Sequence, residues 1–435
     1  MALAFQTLVV LALATAASWV LTPPAARLGR GLGLVDAPNG RRTRRRPVPT
    51  IGGVVVFGSF AASLVAAFVW RGGSGTVTSR HLSALLLGGT AILALGMADD
   101  RWGVDARIRL AVQTVVAVSM LGAGIGIDHL RLPFGRMVEL GWLGYPLTVL
   151  WFVGFMNALN MIDGLDGLAS GIVALTSLAL LVIGIQGGNP LLLITCAALL
   201  GSTGGFLLHN FPRGDVYLGD AGSTVLGFFL AGVSVLGAAN DVASKSLVVA
   251  GACMAVPAFD VVTAVARRAR GRRGIMTADR SHVHHRLIRF GLSPREAVLV
   301  LWAATVFFGG QALGFLTRFW GIPIFVGYAG AAFALQRIRI QRRKNLVTTD
   351  RELKDEVFYL LGASDGVDPG DGDEKELRQI IVDQIRREVE YRRAKRTDAE
   401  PGAAVPVSEA GPAPGVPADE RTRSVAASSP RPEPD

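Results

Sequence analysis

The sequence predicts an all-α, polytopic membrane protein of about eleven transmembrane helices, with the N-terminus outside and a C-terminal tail in the cytoplasm. Half of the 435 residues are hydrophobic, 18% are charged and the mean hydropathy is +0.41, a balance that fits membrane chains better than globular ones. The charge is also segregated. Residues up to 342 form apolar runs near the roughly 20 residues that cross a bilayer, separated by short polar stretches, and residues beyond are polar throughout. A transmembrane domain over 1–342 and a tail over 343–435 follow.

Taken in order, the apolar runs place spans near 4–22, 50–70, 81–98, 107–127, 143–160, 168–187, 190–208, 221–239, 245–266, 296–316 and 321–340. The first has small residues near Ala14 to Ser18, as a cleaved leader would, but lacks a basic n-region and is read as a helix. Orientation follows from arginine. The first loop carries Arg27, Arg30, Arg41, Arg42, Arg44, Arg45 and Arg46, the loop near 267–295 carries nine more, and alternate loops carry two at most. The two rich loops are cytoplasmic by the positive-inside rule. That pattern also accounts for the net charge of +10 without nucleic acid as a partner. Cys196 and Cys253 lie inside apolar runs and read as core thiols rather than a disulfide.

Five polar clusters interrupt the apolar pattern: Arg45 through Gly53, Asp99-Asp100-Arg101, Asn157 through Gly167, His209 through Ser223, and Asp279 through Arg286. All fall on the face that the arginines make cytoplasmic. Asp99 and Asp100 end an apolar run, where a carboxylate is costly unless it meets water, a partner or a metal; solvated charges beyond a helix end are the plainer reading. Asn160, Asp163 and Asp166 recur every three residues, and Gly164 and Gly167 between them suit a broken helix end whose amides could meet a phosphate, or a simple capping turn. Asp220 stands at a helix entrance with Ser223, as a cap would, yet a carboxylate there also suits Mg²⁺, which takes one or two protein carboxylates and fills its shell with substrate phosphates. His282, His284 and His285 lie among Arg280, Arg286 and Arg289. Further ligands for zinc are missing, so the cluster reads as a pyrophosphate cradle. Acidic groups for a divalent metal, cations for phosphates and a membrane at one level suit phosphoryl transfer between a nucleotide-borne group and a lipid phosphate. No Walker-type loop supports ATP hydrolysis.

The segments GLVDAPNGRRTRRRPVPTIGG, MADDRWGVDARIRLAVQ, NALNMIDGLDGLASG, FLLHNFPRGDVYLGDAGSTVLGF and DRSHVHHRL, within about residues 25–300, resemble in content and order the polyprenyl-phosphate N-acetylhexosamine-1-phosphate transferases. The resemblance implies a helical membrane domain with a cytoplasmic cleft in a bacterial plasma membrane, and attack of a polyprenyl-phosphate oxygen on the β-phosphorus of a UDP-amino sugar, with Mg²⁺ (or Mn²⁺ in its place) as cofactor. Carried over by residue, it implies Asp99 as the acid that deprotonates or orients the lipid phosphate, with Asp100 supporting it. Asp220 would be the principal metal ligand and Asp166 the second. Asp163, Asn160 and Asn210 would line the nucleotide site, with Tyr217 stacking on uracil. His282, His284 and His285 would lie near the diphosphate and sugar, with Arg280 and Arg45 as further contacts. Gly103 stands where MraY-type enzymes carry lysine, and His282-Val-His284-His285 replaces three adjacent histidines. Both departures point to the WecA/TagO-like branch and so to UDP-N-acetylglucosamine as donor.

Two readings from other classes compete. Intramembrane acids and glycine-broken helices also mark transporters, although those sites lie near the midplane between internal repeats, and no repeat is evident here. A membrane-anchored scaffold working through its tail is the other. In that tail, residues 374–396 form a candidate amphipathic helix with Leu377, Ile381, Ile385 and Val389 on one side, suited to a partner, a homodimer or the inner leaflet, and about 398–435 reads as disordered.

Overall fold

The computed structural model describes residues 2–36, 47–70, 79–131, 137–236, 243–270, 282–317, 327 and 329–340. By its contacts the chain divides into Met1–Leu346 and Val347–Asp435. The described residues all belong to the first unit, so the tail helix at 374–396 and the tail beyond it lie outside them, as do Arg45 and Arg280.

Among the described residues the fold is carried by helices α1 Ala2–Gly31, α2 Gly52–Trp70, α3 Ser79–Trp102, α4 Ala106–Gly122, α5 Gly144–Ile162, α6 Leu168–Gly187, α7 Pro190–Asn210, α8 Gly219–Leu236, α9 Ala243–Cys253, α10 Ala255–Arg270, α11 Val283–Arg289 and α12 Pro294–Thr317. Residues 329–340 are also helical. Two short antiparallel ribbons accompany them, β1 (Val35–Asp36) with β2 (Val48–Pro49) and β3 (His129–Arg131) with β4 (Met137–Glu139). The chain is a polytopic helical membrane protein.

Local signals set several boundaries. Asp105 caps α4 by accepting from the Arg107 N–H at 2.8 Å. Asn189 accepts from the Leu191 and Leu192 N–H groups, and Pro190 opens α7 at a position whose N–H has no helical partner. Gly188, at φ 57°, closes α6 in the left-handed conformation that glycine adopts without a Cβ penalty.

Eight described helices are long and apolar enough to cross a membrane, or up to nine if one bent pair is a single span, fewer than the eleven expected. Helix α4 stops at Gly122, five residues before its expected end, because the chain turns towards the β3–β4 ribbon. The run expected as one span over 245–266 is α9 and α10, bent by 61° at Met254. Pro257 explains the bend, since it offers the Cys253 carbonyl no N–H and its ring crowds that turn. Of the run expected at 321–340, residues 318–326 lie outside the described residues.

Helix α1 departs the other way. It continues through Pro23 and Pro24 to Gly31, so Arg27 and Arg30 sit on a helix instead of in a loop. Pro23 leaves the Trp19 carbonyl without its helical donor, and the His209 Nε2–H supplies one at 3.0 Å from α7. Gly201 and Gly205 of α7 meet the α1 backbone there, where a Cβ would strike Leu11 and Thr15 carbonyl oxygens. His209→Leu is expected to destabilise the protein by about 1 kcal/mol, read as a lower Tm in detergent; an unchanged Tm would contradict the pairing.

Helix α8 is the axis of the domain. It is buried along its length and packs on α2, α3, α5, α7 and α9. Glycines make the approach possible. A Cβ on Gly53 of α2 would meet the Gly222 backbone, one on Gly96 of α3 would meet Ala221, and one on Gly227 would meet Met156 of α5. Where lipid removes the hydrophobic drive between helices, such close backbone packing supplies the association.

Candidate functional site

The polar end of α3 meets the first turn of α8. Asp100 accepts from the Asp220 N–H at 2.8 Å with Oδ1 and from the Ala221 N–H at 3.2 Å with Oδ2. It therefore caps α8 from another helix, satisfying donors that would otherwise be orphaned. Gly219, at φ 75°, turns the chain so tightly that a Cβ would press on that carboxylate. The resemblance implied an acid supporting Asp99; in the structure Asp100 holds the main chain at Asp220.

The Asp99 side chain is 7% exposed. One of its oxygens accepts from the Val104 N–H at 2.8 Å and the other is ion-paired with Arg109. The same guanidinium lies 3.9 Å from Asp220 Oδ2, so one cation serves two carboxylates. Asp220 is 47% exposed by its side chain, and its Oδ1 accepts from Asn160 Nδ2 at 3.0 Å. Asn160 also reaches Ser223 Oγ at 3.1 Å. Asn160, Asp220, Asp99 and Asp100 thus form one network, and Asn157 stands outside it, bound to Gln113 of α4 at 2.7 Å.

After α5 the chain breaks. Asp163 is the C-terminal cap, at ψ 52°, and its N–H bonds the Leu159 carbonyl. Asp166 lies against Gly214, where a Cβ would collide with its carboxylate. Asn210 is buried, with Oδ1 accepting from the Gly167 N–H at 2.7 Å and Ser170 Oγ at 3.2 Å and Nδ2 donating to the Val216 carbonyl at 2.8 Å. These bonds make Asn210 the joint between the two loops. Tyr217 joins a third segment through its main chain, which donates to the Pro49 carbonyl at 2.8 Å and accepts from the Gly52 N–H at 3.0 Å.

The histidines complete the cluster. His284 is 2% exposed and its ring covers Gly164, where a Cβ would strike Nε2. His282 and His284 stack at 5.8 Å between centroids, and His284 and His285 lie 4.2 Å apart. Burial, then the neighbouring His285 and His282, push the His284 pKa down to about 4, against a smaller opposing pull from Asp260. Burial thus favours the neutral ring of His284 through the physiological range. The unfolded chain protonates it near 6.5, so as pH falls from there towards 4 the unfolded state binds more protons and stability drops. His284→Gln is expected to lose less Tm than the parent between about pH 7 and about pH 5; equal losses would contradict this.

Two residues were missed in the sequence. Asp260, 1% exposed in α10, accepts from His282 Nδ1 at 2.8 Å and from the Val283 N–H at 3.0 Å. Arg109 was passed over inside an apolar run. Each carried a signal, a charge within a stretch long enough to be membrane-embedded.

Residues 82–238 match the profile described as "Glycosyl transferase family 4". The chain is 36% identical over 295 residues to a protein of Bacillus subtilis named "Probable undecaprenyl-phosphate N-acetylglucosaminyl 1-phosphate transferase", covering 68% of this chain and 80% of that one. It is 33% identical over 321 residues to a "Decaprenyl-phosphate N-acetylglucosaminephosphotransferase" of Mycobacterium tuberculosis, covering 68% and 79%. It is 32% identical over 285 residues to an "Undecaprenyl-phosphate alpha-N-acetylglucosaminyl 1-phosphate transferase" of Salmonella typhi, covering 64% and 76%.

Proposed function

Because this chain belongs to glycosyl transferase family 4, among the polyprenyl-phosphate N-acetylglucosamine-1-phosphate transferases, we propose that its site moves N-acetylglucosamine 1-phosphate from UDP-N-acetylglucosamine to a polyprenyl phosphate. A lipid-phosphate oxygen forms a bond to the β-phosphorus, the bond to the bridging oxygen breaks, and UMP leaves. The observation that carries this reading is the network at the α3–α8 junction, with three carboxylates, one of them half-exposed, one guanidinium and the Asn160 amide assembled from three motifs beside apolar helices. Relatives of this chain bear names that specify the lipid phosphate and the transferred group.

The donor set fits a divalent cation of the Mg²⁺ kind. Among the described residues no group of three or more His, Cys, Asp or Glu side chains gathers as a metal cage. A cation here would draw on one or two carboxylates and take the rest of its shell from phosphate oxygens and water, as Mg²⁺ does. Asp220 would hold it through the oxygen that Asn160 leaves free, with Asp166 as the second carboxylate. When bound, the ion neutralises charge on the diphosphate.

The protein's own groups orient the rest. Arg109 offers its guanidinium to an incoming phosphate, and Asp99 holds it in place. A phosphate monoester has a second pKa of about 6, so the lipid phosphate arrives largely deprotonated and Asp99 serves orientation more than proton removal. The arginine-rich segments support a cytoplasmic site in a bacterial plasma membrane. Purified protein given UDP-[³H]uridine-labelled donor is expected to release UMP only with both polyprenyl phosphate and Mg²⁺ present. Release without lipid, or none from any UDP-amino sugar, would overturn the assignment.

A further inference from the structure

Asp260 belongs to none of the five motif segments, yet among the described residues it is the most deeply buried acid tied to one of them. It sits in α10, three residues after the Pro257 that bends the α9–α10 pair, at 1% exposure. A buried carboxylate persists only when its oxygens are satisfied. Among the described residues each oxygen accepts from the start of α11, Oδ2 from His282 Nδ1 at 2.8 Å and Oδ1 from the Val283 N–H at 3.0 Å. The second bond matters for the first. By engaging Oδ1, Val283 fixes the carboxylate plane and leaves Oδ2 aimed at the ring.

We propose that Asp260 is a positioning residue that selects the ring tautomer of His282, a role that rests on the transferase reading above. A carboxylate is an acceptor only, so Nδ1 must carry the proton and the lone pair of the neutral ring must reside on Nε2. His282, 12% exposed, then presents Nε2 as the nitrogen able to accept a hydrogen bond or proton from substrate. The ring is held at the same time by its stack on His284, which covers Gly164 in the Asp163–Asp166 turn. Asp260 therefore acts on the site through His282 without touching substrate.

Asp260→Asn tests the assignment because shape is kept while the hydrogen-bond logic reverses. The Asn oxygen still accepts from Val283, its NH₂ faces Nδ1, and Nδ1 must become an acceptor with the proton on Nε2. In a catalytic triad the same exchange lowers kcat by about 10⁴; here a fall of about a hundredfold is expected, with the donor KM kept within about threefold. The activity-independent readout is ¹⁵N NMR of full-length protein carrying labelled histidine in detergent, with the His282 signal assigned by its loss in His282→Gln. An Nε2 lone pair in the parent that moves to Nδ1 in Asp260→Asn, together with the fall in kcat, bears the proposal out. So does the disappearance of the Asp260→Asn effect in a His282→Gln background. An unchanged tautomer, or a kcat within threefold of the parent, overturns it. Should the parent release no UMP, the reaction assigned above fails, and the tautomer measurement still decides whether Asp260 sets the ring.

Discussion

Asp220→Asn is expected to abolish turnover, lowering kcat by about a thousandfold or more, while the protein stays folded in detergent with a Tm close to that of the parent. The substitution keeps volume. The contact from Asn160 Nδ2 needs only an acceptor oxygen, which asparagine retains, and the α8 cap is supplied by Asp100 to main-chain donors that asparagine also has. Only the charge is lost, on a side chain open enough to meet solvent. If Asp220 holds the cation, the Mg²⁺ concentration for half-maximal rate should rise in any residual activity. A variant with near-normal turnover would remove Asp220 from the metal site.

Asp99→Asn is expected to cost about a hundredfold in kcat, with the KM for lipid phosphate raised and that for the sugar nucleotide little changed. The argument runs through Arg109. With its carboxylate partner neutralised, the guanidinium is drawn towards Asp220 Oδ2, already 3.9 Å away, and no longer stands where the phosphate arrives. An equal rise in both KM values, or none in either, would show that Asp99 serves something other than the lipid side.

Much of this was legible in the chain. The apolar runs located the long helices because each crosses lipid, where length and hydropathy are one requirement. The motif segments were found because polar residues are expensive beside such runs, and the structure ties Pro49, Asp100, Asn160, Asp166 and Tyr217 to one end of α8 or to its approach. What escaped depended on pairings across the chain. Hydropathy shows that a stretch is apolar but not that Pro257 bends it or that Asp260 within it meets His282, 22 residues on. The helix through Pro23 and Pro24 violates a local rule, and the donor from His209 answers the carbonyl that Pro23 leaves unpaired. The resemblance placed Asn210 beside the nucleotide, and no local pattern showed that its side chain also ties the Gly167 and Val216 segments together.

The glycine seams along α8 carry a consequence for genetics. Gly227 lies seven residues from Asp220, about 10 Å along the helix, and faces the α5 backbone at Met156. A larger side chain there must push the rod off its seat, and the carboxylate at its tip moves with it. A screen for inactive alleles will therefore recover substitutions deep in the bundle that touch neither nucleotide nor lipid. Read as a map of contacts, such a harvest would enlarge the reactive centre well beyond its true borders; read as a map of leverage, it would trace the outline of α8.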